Sequence, residues 1–279
     1  MARGRTERVL VTVVDGSTSR RRPDSLIVEE PLTIQLNGVA VATTMRTPGH
    51  DFELAVGFCH TEGLLVGPEG RPVVVTGVRY CGTGSAAETE FNVTTVETGS
   101  PTLPPTPRLG PVSSSCGWCG SDQLDDIAGR VAALPPTDPF SVDVLRSVPA
   151  LVADHQDLFA RTGAVHAAAV FDASGRVDTV REDVGRHNAV DKVVGAMLLA
   201  GRLPATDLGL FVSGRASVEM VVKAWSAGFG TLVAVSAPTA LAVSAARRAG
   251  MCLVGFTRDR SCNVYSPERL SGEVTPADR

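Results

Sequence analysis

The sequence predicts an α/β fold, and three segments predict it. Leu208 to Val212, Thr231 to Val235 and Cys252 to Phe256 are apolar runs of strand length. Each ends in a small polar loop: Ser213-Gly214-Arg215-Ala216-Ser217, Ser236-Ala237-Pro238-Thr239, and Thr257-Arg258-Asp259-Arg260-Ser261. The first two loops open onto stretches of helical spacing. Apolar strands alternating with helices point to a layer of parallel strands covered by helices.

Taken in order, residues 1–24 are expected to be a disordered tail bearing Arg3, Arg5, Arg8, Arg20, Arg21 and Arg22. Residues 25–110 read as a smaller, β-rich domain. Leu32 to Leu36 alternates, Asn37-Gly38 supplies the positive φ angles of a type I′ turn, and Val39-Ala40-Val41 returns as the second strand. Asp51 is placed to cap a helix carrying Phe52, Ala55, Val56 and Cys59 on one face. Val73 to Tyr80 and Phe91 to Val96 read as strands. The proline-rich residues 100–111 form an extended arm, since proline lacks the amide donor. Residues 111–140 hold a cysteine loop and a helix from Ser121 that Pro135-Pro136 stops. Residues 141–279 are the α/β domain: an amphipathic stretch at 141–160, a buried strand from Ala164 to Phe171, a helix from about 187, then the three strand units.

With 43% hydrophobic and 20% charged residues, the 279-residue chain can bury a core. At about 150 residues per domain it makes one large domain or two modest ones. A net charge of -4 argues against a nucleic-acid binder. No apolar run of about 18 residues predicts a membrane span, and no cationic start with an apolar run predicts a signal peptide. Six cysteines in a long chain of this kind point to a reducing, cytoplasmic setting. There a Cys-x-x-Cys handles redox, sulfur or metal. Cys59 and Cys252 sit in apolar runs and read as core.

The Cys-x-x-Cys is Cys116-Gly117-Trp118-Cys119, preceded by three serines and followed by Gly120. Flanking glycines give access and mobility, which suits sulfur passed between partners. The following helix start favours a thiolate by about 0.3–1 kcal/mol, but Asp122, Asp125 and Asp126 oppose it. Structural zinc is one alternative. It commonly needs a second paired motif, which the chain lacks; Cys59-His60 would have to supply it. A dithiol oxidoreductase is another, weakened by the proline arm where a strand should stand.

Ser213, Gly214 and Arg215 after one strand, and Ser236 and Thr239 after the next, have the arrangement that receives phosphate at a helix start. Neighbouring parallel strands bring their ends to one crevice. Arg258 and Arg260 follow the third strand, so an anionic, nucleotide-like ligand is the expectation. Arg181 to Lys192 is the densest polar cluster, with His187 and Asp191 on one helix face. It reads as a capped helix entry with Asp183 as cap, or as a site for a polar ligand or proton transfer. His166, in an apolar strand, reads as a core histidine.

Together these segments resemble the FdhD family, the formate dehydrogenase accessory sulfurtransferases. The matching stretches are Met45 to Gly49, Gly57-Phe58 with Glu62-Gly63, Cys116 to Gly120, Thr162-Gly163 with His166, Glu182 to Lys192, Ser213 to Lys223, Ser236 to Thr239, and Gly255 to Tyr265. The resemblance implies a carrier that takes persulfide sulfur from a cysteine desulfurase. It would deliver that sulfur to the molybdenum bis(molybdopterin guanine dinucleotide) cofactor, bound as a client, for the formate dehydrogenase catalytic subunit. It implies that Cys116 bears the persulfide and Cys119 assists, and that Phe256, Thr257, Arg258, Asp259, Arg260 and Ser261 touch the cofactor. It also implies a cytidine-deaminase-like C-terminal α/β layer and a homodimer. The competing expectation is a cofactor-binding chaperone whose cysteines dock, or hold zinc, without carrying sulfur.

Overall fold

The computed structural model describes residues 4–81, 86–87, 89–104, 133–138 and 140–271. The Cys116–Cys119 loop and the helix expected after Ser121 lie outside the described residues.

Two sheets organise the chain. A four-stranded sheet is built from β3 (Glu30–Leu36), β4 (Val39–Arg46), β5 (Val75–Tyr80) and β6 (Val93–Thr98), in the order β4-β3-β6-β5. The β3–β4 hairpin turns at Asn37 (φ 50°) and Gly38 (φ 84°), as the Asn-Gly pair predicts. Helix α1 (Asp51–Thr61) packs on this sheet, with Leu54 and Phe58 against Leu32, Ile34, Leu36 and Val96.

The larger sheet has six strands: β8 (His166–Phe171), β9 (Val177–Asp183), β10 (Gly209–Val212), β11 (Thr231–Ala234), β12 (Cys252–Arg258) and β13 (Ser261–Ser266). Their order is β13-β12-β11-β10-β8-β9. One face is covered by α4 (Arg186–Leu199), α5 (Val218–Ser226) and α6 (Ala240–Ala249), through Val190, Val193, Met197, Met220, Val221 and Trp225. The other face is covered by α2 (Val142–Ala153), through Leu145, Val148 and Val152 with Phe140, Phe171 and Phe211. A short α3 (Asp157–Thr162) follows α2, and β7 (Phe140–Ser141) pairs with β14 (Leu270–Ser271).

The chain departs from the sequence expectations in four places. The sheet is mixed: β10, β11 and β12 are parallel, while β8, β9 and β13 run antiparallel to their neighbours. The turns joining β8 to β9 and β12 to β13 are too short for a parallel crossover. The expected tail instead forms β1 (Thr6–Asp15) and β2 (Thr18–Ile27), an antiparallel ribbon turning at Gly16 (φ 57°). Its arginines masked the alternating Val9, Val11 and Val13 in the sequence. Asp51 opens α1 but does not cap it; His50 holds the N-cap position and Asp51 pairs with Arg46. Finally, α1 is buried nearly all round rather than on one face, because α4 covers its outer side.

That second burial depends on two glycines. A β-carbon on Gly57 would lie 1.8 Å from the Asp191 carbonyl oxygen, and one on Gly195 would lie 1.8 Å from that of Glu53. The α1 and α4 backbones therefore touch directly, and this crossing joins the four-stranded unit to the six-stranded one.

Candidate functional site

The motif residues divide between two places. The first is the seam around the α1–α4 crossing, where the polar cluster of the sequence is internally satisfied. Lys192 and Asp183 are both fully buried, 2.7 Å apart. The Lys192 ammonium also donates to the Thr47 carbonyl at 2.9 Å. Asp183 accepts from the amides of Thr47 (3.1 Å) and Gly185 (2.8 Å) and from the Asn188 side chain (3.0 Å). It is not the helix cap; Gly185 holds that position. Asp191 is 2.9 Å from Lys223 and accepts from Thr61 at 2.7 Å. Burial alone would lower the Lys223 pKa, but Asp191 and Glu62 outweigh it and raise it. Arg46 forks onto Asp51 through two bonds of 3.0 Å. Removing one member of such a buried pair costs about 3–5 kcal/mol, because the other charge is stranded.

Asp191 is thus committed to Lys223, not shared with His187 for proton transfer. His187 is mostly buried, and burial with the Lys223 and Arg186 charges pushes its pKa down to about 4. It is a neutral imidazole near pH 7. Glu182 is committed too: its carboxylate accepts the Leu158 and Phe159 amides at 2.9 and 2.8 Å, at the start of α3. Cys59 lies buried in the core, and the His60 ring meets the Ser226 carbonyl at 3.0 Å. That leaves Cys59-His60 poorly placed to complete a zinc site. Among the described residues no cluster of three His, Cys, Asp or Glu forms that could hold a metal ion.

The second place is the edge of the six-stranded sheet where β10, β11 and β12 end and β8 begins. Here the structure brings Ser213, Gly214, Arg215, Ser236 and Phe256 together. The Ser236 amide donates to the Gly214 carbonyl at 3.3 Å, and the Phe256 amide to the Ser236 carbonyl at 3.2 Å. Ala216 and Pro238 form an isolated parallel bridge beyond the strands, so the two loops are stitched together. Ser213 also accepts the Ala167 amide on its hydroxyl at 2.9 Å. Thr239 caps α6, its side chain accepting the Ala242 amide at 3.2 Å.

Val233 pairs with Val254, so β12 runs past the end of β11. Its register with β13 is broken between Gly255 and Arg258. At this irregularity Phe256 has φ 51° and is 43% exposed, uncommon for a bulky residue. Thr257 is buried and its hydroxyl has no partner. Arg258, Asp259, Arg260 and Ser261 are exposed on the overhanging turn. At about 3.3 Å per residue that turn stands roughly 10 Å beyond Phe256. The site has a cationic margin from Arg215, Arg258 and Arg260 that suits an anionic ligand; the amides of Ser213, Ala216, Ser236, Thr239 and Phe256 are already donated to backbone carbonyls.

The sequence reading missed His166. Its backbone starts β8, but its ring is half-buried and lines a pocket of about 410 Å3 beside Ser213. Burial and the Arg186 charge lower its pKa. The apolar run after it suggested a core position; Gly163, which ends α3 at φ 64° and also lines the pocket, was the available signal.

Comparison with known proteins agrees with this architecture. The FdhD/NarQ family model matches residues 27–271. The chain is 45% identical to the sulfur carrier protein FdhD of Mycolicibacterium paratuberculosis, covering 94% of this chain and 97% of that one. It is 43% identical to the protein of the same name from Streptomyces avermitilis, covering 96% of each. A crystal structure from Desulfotalea psychrophila, of a protein described as a formate dehydrogenase accessory protein, superposes with a TM-score of 0.74. It is 23% identical and covers 96% of this chain and all of that one, which shows a shared mixed α/β fold. With a family model spanning both sheets and relatives above 40% identity along the whole length, the chain belongs to the FdhD/NarQ family.

Proposed function

We propose that this protein is a sulfur carrier serving formate dehydrogenase. The observation that carries the reading is the full-length similarity to relatives named sulfur carrier protein FdhD. In this reading the Cys116 thiolate attacks the outer sulfur of a persulfide on a cysteine desulfurase. A new S–S bond forms on Cys116, the old one breaks, and the desulfurase thiolate leaves, so no outside oxidant is needed. Cys119 assists release. The client is molybdenum bis(molybdopterin guanine dinucleotide), held at the strand-end crevice by its phosphates. Arg215 and Arg258 supply charge there, the Gly214 loop supplies amides, and Phe256 presents an aromatic face. The Thr257 hydroxyl, buried and without a partner, fits a site that a ligand completes. The bound cofactor supplies the metal that receives sulfur. The same proposal places the protein in the cytoplasm as a homodimer, on the strength of the family resemblance.

The test is mass spectrometry after incubation with a desulfurase and cysteine. The wild-type loop gains one sulfur, and Cys116→Ala gains none at that position. Cys116→Ala keeps its fold and its binding of GDP but loses formate dehydrogenase maturation. An unmodified wild-type loop would leave only a cofactor-binding chaperone.

A further inference from the structure

In sequence, Cys116 and Cys119 stand between two attachments to the body. Upstream, the Leu103 amide donates to the Val66 carbonyl at 2.8 Å. Downstream, the Leu134 amide donates to the Ala249 carbonyl at 3.0 Å, at the end of α6, and Leu134 packs on the core of the six-stranded sheet. One side chain makes the rest of the downstream fastening. Arg269 is 5% exposed. Its Nε donates to the Gly250 carbonyl at 2.6 Å, and its two terminal nitrogens donate to the Thr137 hydroxyl at 2.5 Å and the Pro135 carbonyl at 2.6 Å. Its own carbonyl accepts the Phe140 amide at 3.0 Å.

The fold leaves room for this guanidinium. Gly230 leads into β11, and a β-carbon there would lie 2.8 Å from Arg269 Nη1 and 3.1 Å from its Cδ. All three acceptors are neutral, and Asp207 acts on the charge only through space. Burial is the largest pressure on the Arg269 pKa, and it is downward. A buried charge without a contacting counter-charge is costly, and an apolar side chain of similar volume is often at least as stable. What the guanidinium adds is a rigid fork that reaches three acceptors at once. Pro135-Pro136 is a stiff, extended pair, so holding Pro135 and Thr137 sets the direction of the chain there as well as its position.

We infer that Arg269 is a positioning residue for sulfur delivery: its three bonds fix the point and direction from which the Cys116 segment works. It is no part of the crevice, since it lies where β11 and β12 begin and the crevice lies where they end. The inference rests on the carrier reading proposed above. Loading needs only a reachable Cys116 thiol. Delivery needs that thiol placed against a client held on the same body. Releasing the fastening should therefore spare the first step and impair the second.

Three measurements on the full chain test it: the sulfur mass gained at Cys116 from a desulfurase and cysteine, GDP binding by calorimetry, and formate dehydrogenase maturation. Arg269→Met should load Cys116 and bind GDP within about twofold of wild type, while maturation falls roughly fivefold or more. Arg269→Lys keeps the charge without the fork and should recover part of that loss. If circular dichroism shows that Arg269→Met does not fold, Thr137→Val replaces it. That change removes one acceptor from a partly exposed residue, and the expected maturation loss is about threefold. Equal losses in all three measurements would reduce Arg269 to a prop for the fold and overturn the inference. Unimpaired maturation would overturn it too, and both results leave the carrier reading standing. A wild-type chain that gains no sulfur at Cys116 would remove the carrier reading and the role of Arg269 with it.

Discussion

The seam and the crevice are made of the same kinds of residue, yet they differ in how far those residues are satisfied. At the seam, Lys192, Asp183, Lys223, Asp191, Arg46 and Asp51 are buried, and each has an opposite charge at hydrogen-bond distance. At the crevice, Arg215, Arg258 and Arg260 face solvent, the Thr257 hydroxyl is orphaned, and Phe256 holds a strained backbone beside an open edge. Partnered polar groups hold two layers in one geometry. Unpartnered groups at a strand edge are available to something else. The difference separates the motif segments into those that fix the fold and those that can meet a ligand.

The seam can be broken outright. Gly57→Val drives a side chain into the α4 backbone, and we expect a loss of about 5 kcal/mol, enough to prevent folding; expression in inclusion bodies or a missing thermal transition would show it. Lys192→Met strands Asp183 and should cost about 3–4 kcal/mol in chemical denaturation. Adding Asp183→Asn should recover part of that. A full additive loss in the double variant would mean that the pair is not coupled.

Acid sharpens the contrast further. The His187 pKa falls from 6.5 when unfolded to about 4 when folded. Between those values the unfolded chain binds more protons, so stability drops as pH falls through this window and is flat above it. Burial shifts His60 and His166 the same way. Thermal midpoints measured from about pH 7 to about 4.5 should therefore fall, and His187→Gln should flatten the curve. Glu53, held near 2 by Arg181 and His50 despite its burial, adds stability that is present at neutral pH and is lost only as pH falls from about 4.5 toward 2. The smallest expected effect on stability is at the crevice: Arg258→Ala should change it by less than about 0.5 kcal/mol. The same variant should weaken pyrophosphate binding by about 1 kcal/mol, which calorimetry can read.

Much of this was legible in the sequence, and the reasons are local. The Asn37-Gly38 turn, the β10, β11 and β12 strands and the helix starts after Ser217 and Thr239 are each specified by a few adjacent residues. The parallel core of the sheet brought Ser213, Ser236 and Phe256 together as expected. What could not be read was long-range. The partners of the Arg181–Lys192 cluster are Met45, Thr47 and Thr61, more than a hundred positions away. Asp183, Asn188, Asp191 and Lys192 of that cluster are therefore fastenings, which no neighbouring residue announces. His166 erred in the opposite direction: the apolar run after it describes β8, not the cavity at that strand's end. Antiparallel β9 and the N-terminal ribbon were hidden because their charged residues blur the alternation.

The stitched loops after β10 and β11 have a consequence for speed. The Ala216–Pro238 bridge and the amide of Ser236 tie the two turns into one ledge, so their ordering entropy is lost while the chain folds, not when a visitor lands. Docking on that ledge should follow a single exponential with no slow rearrangement phase, and hand-over between proteins would be paced by encounter and departure.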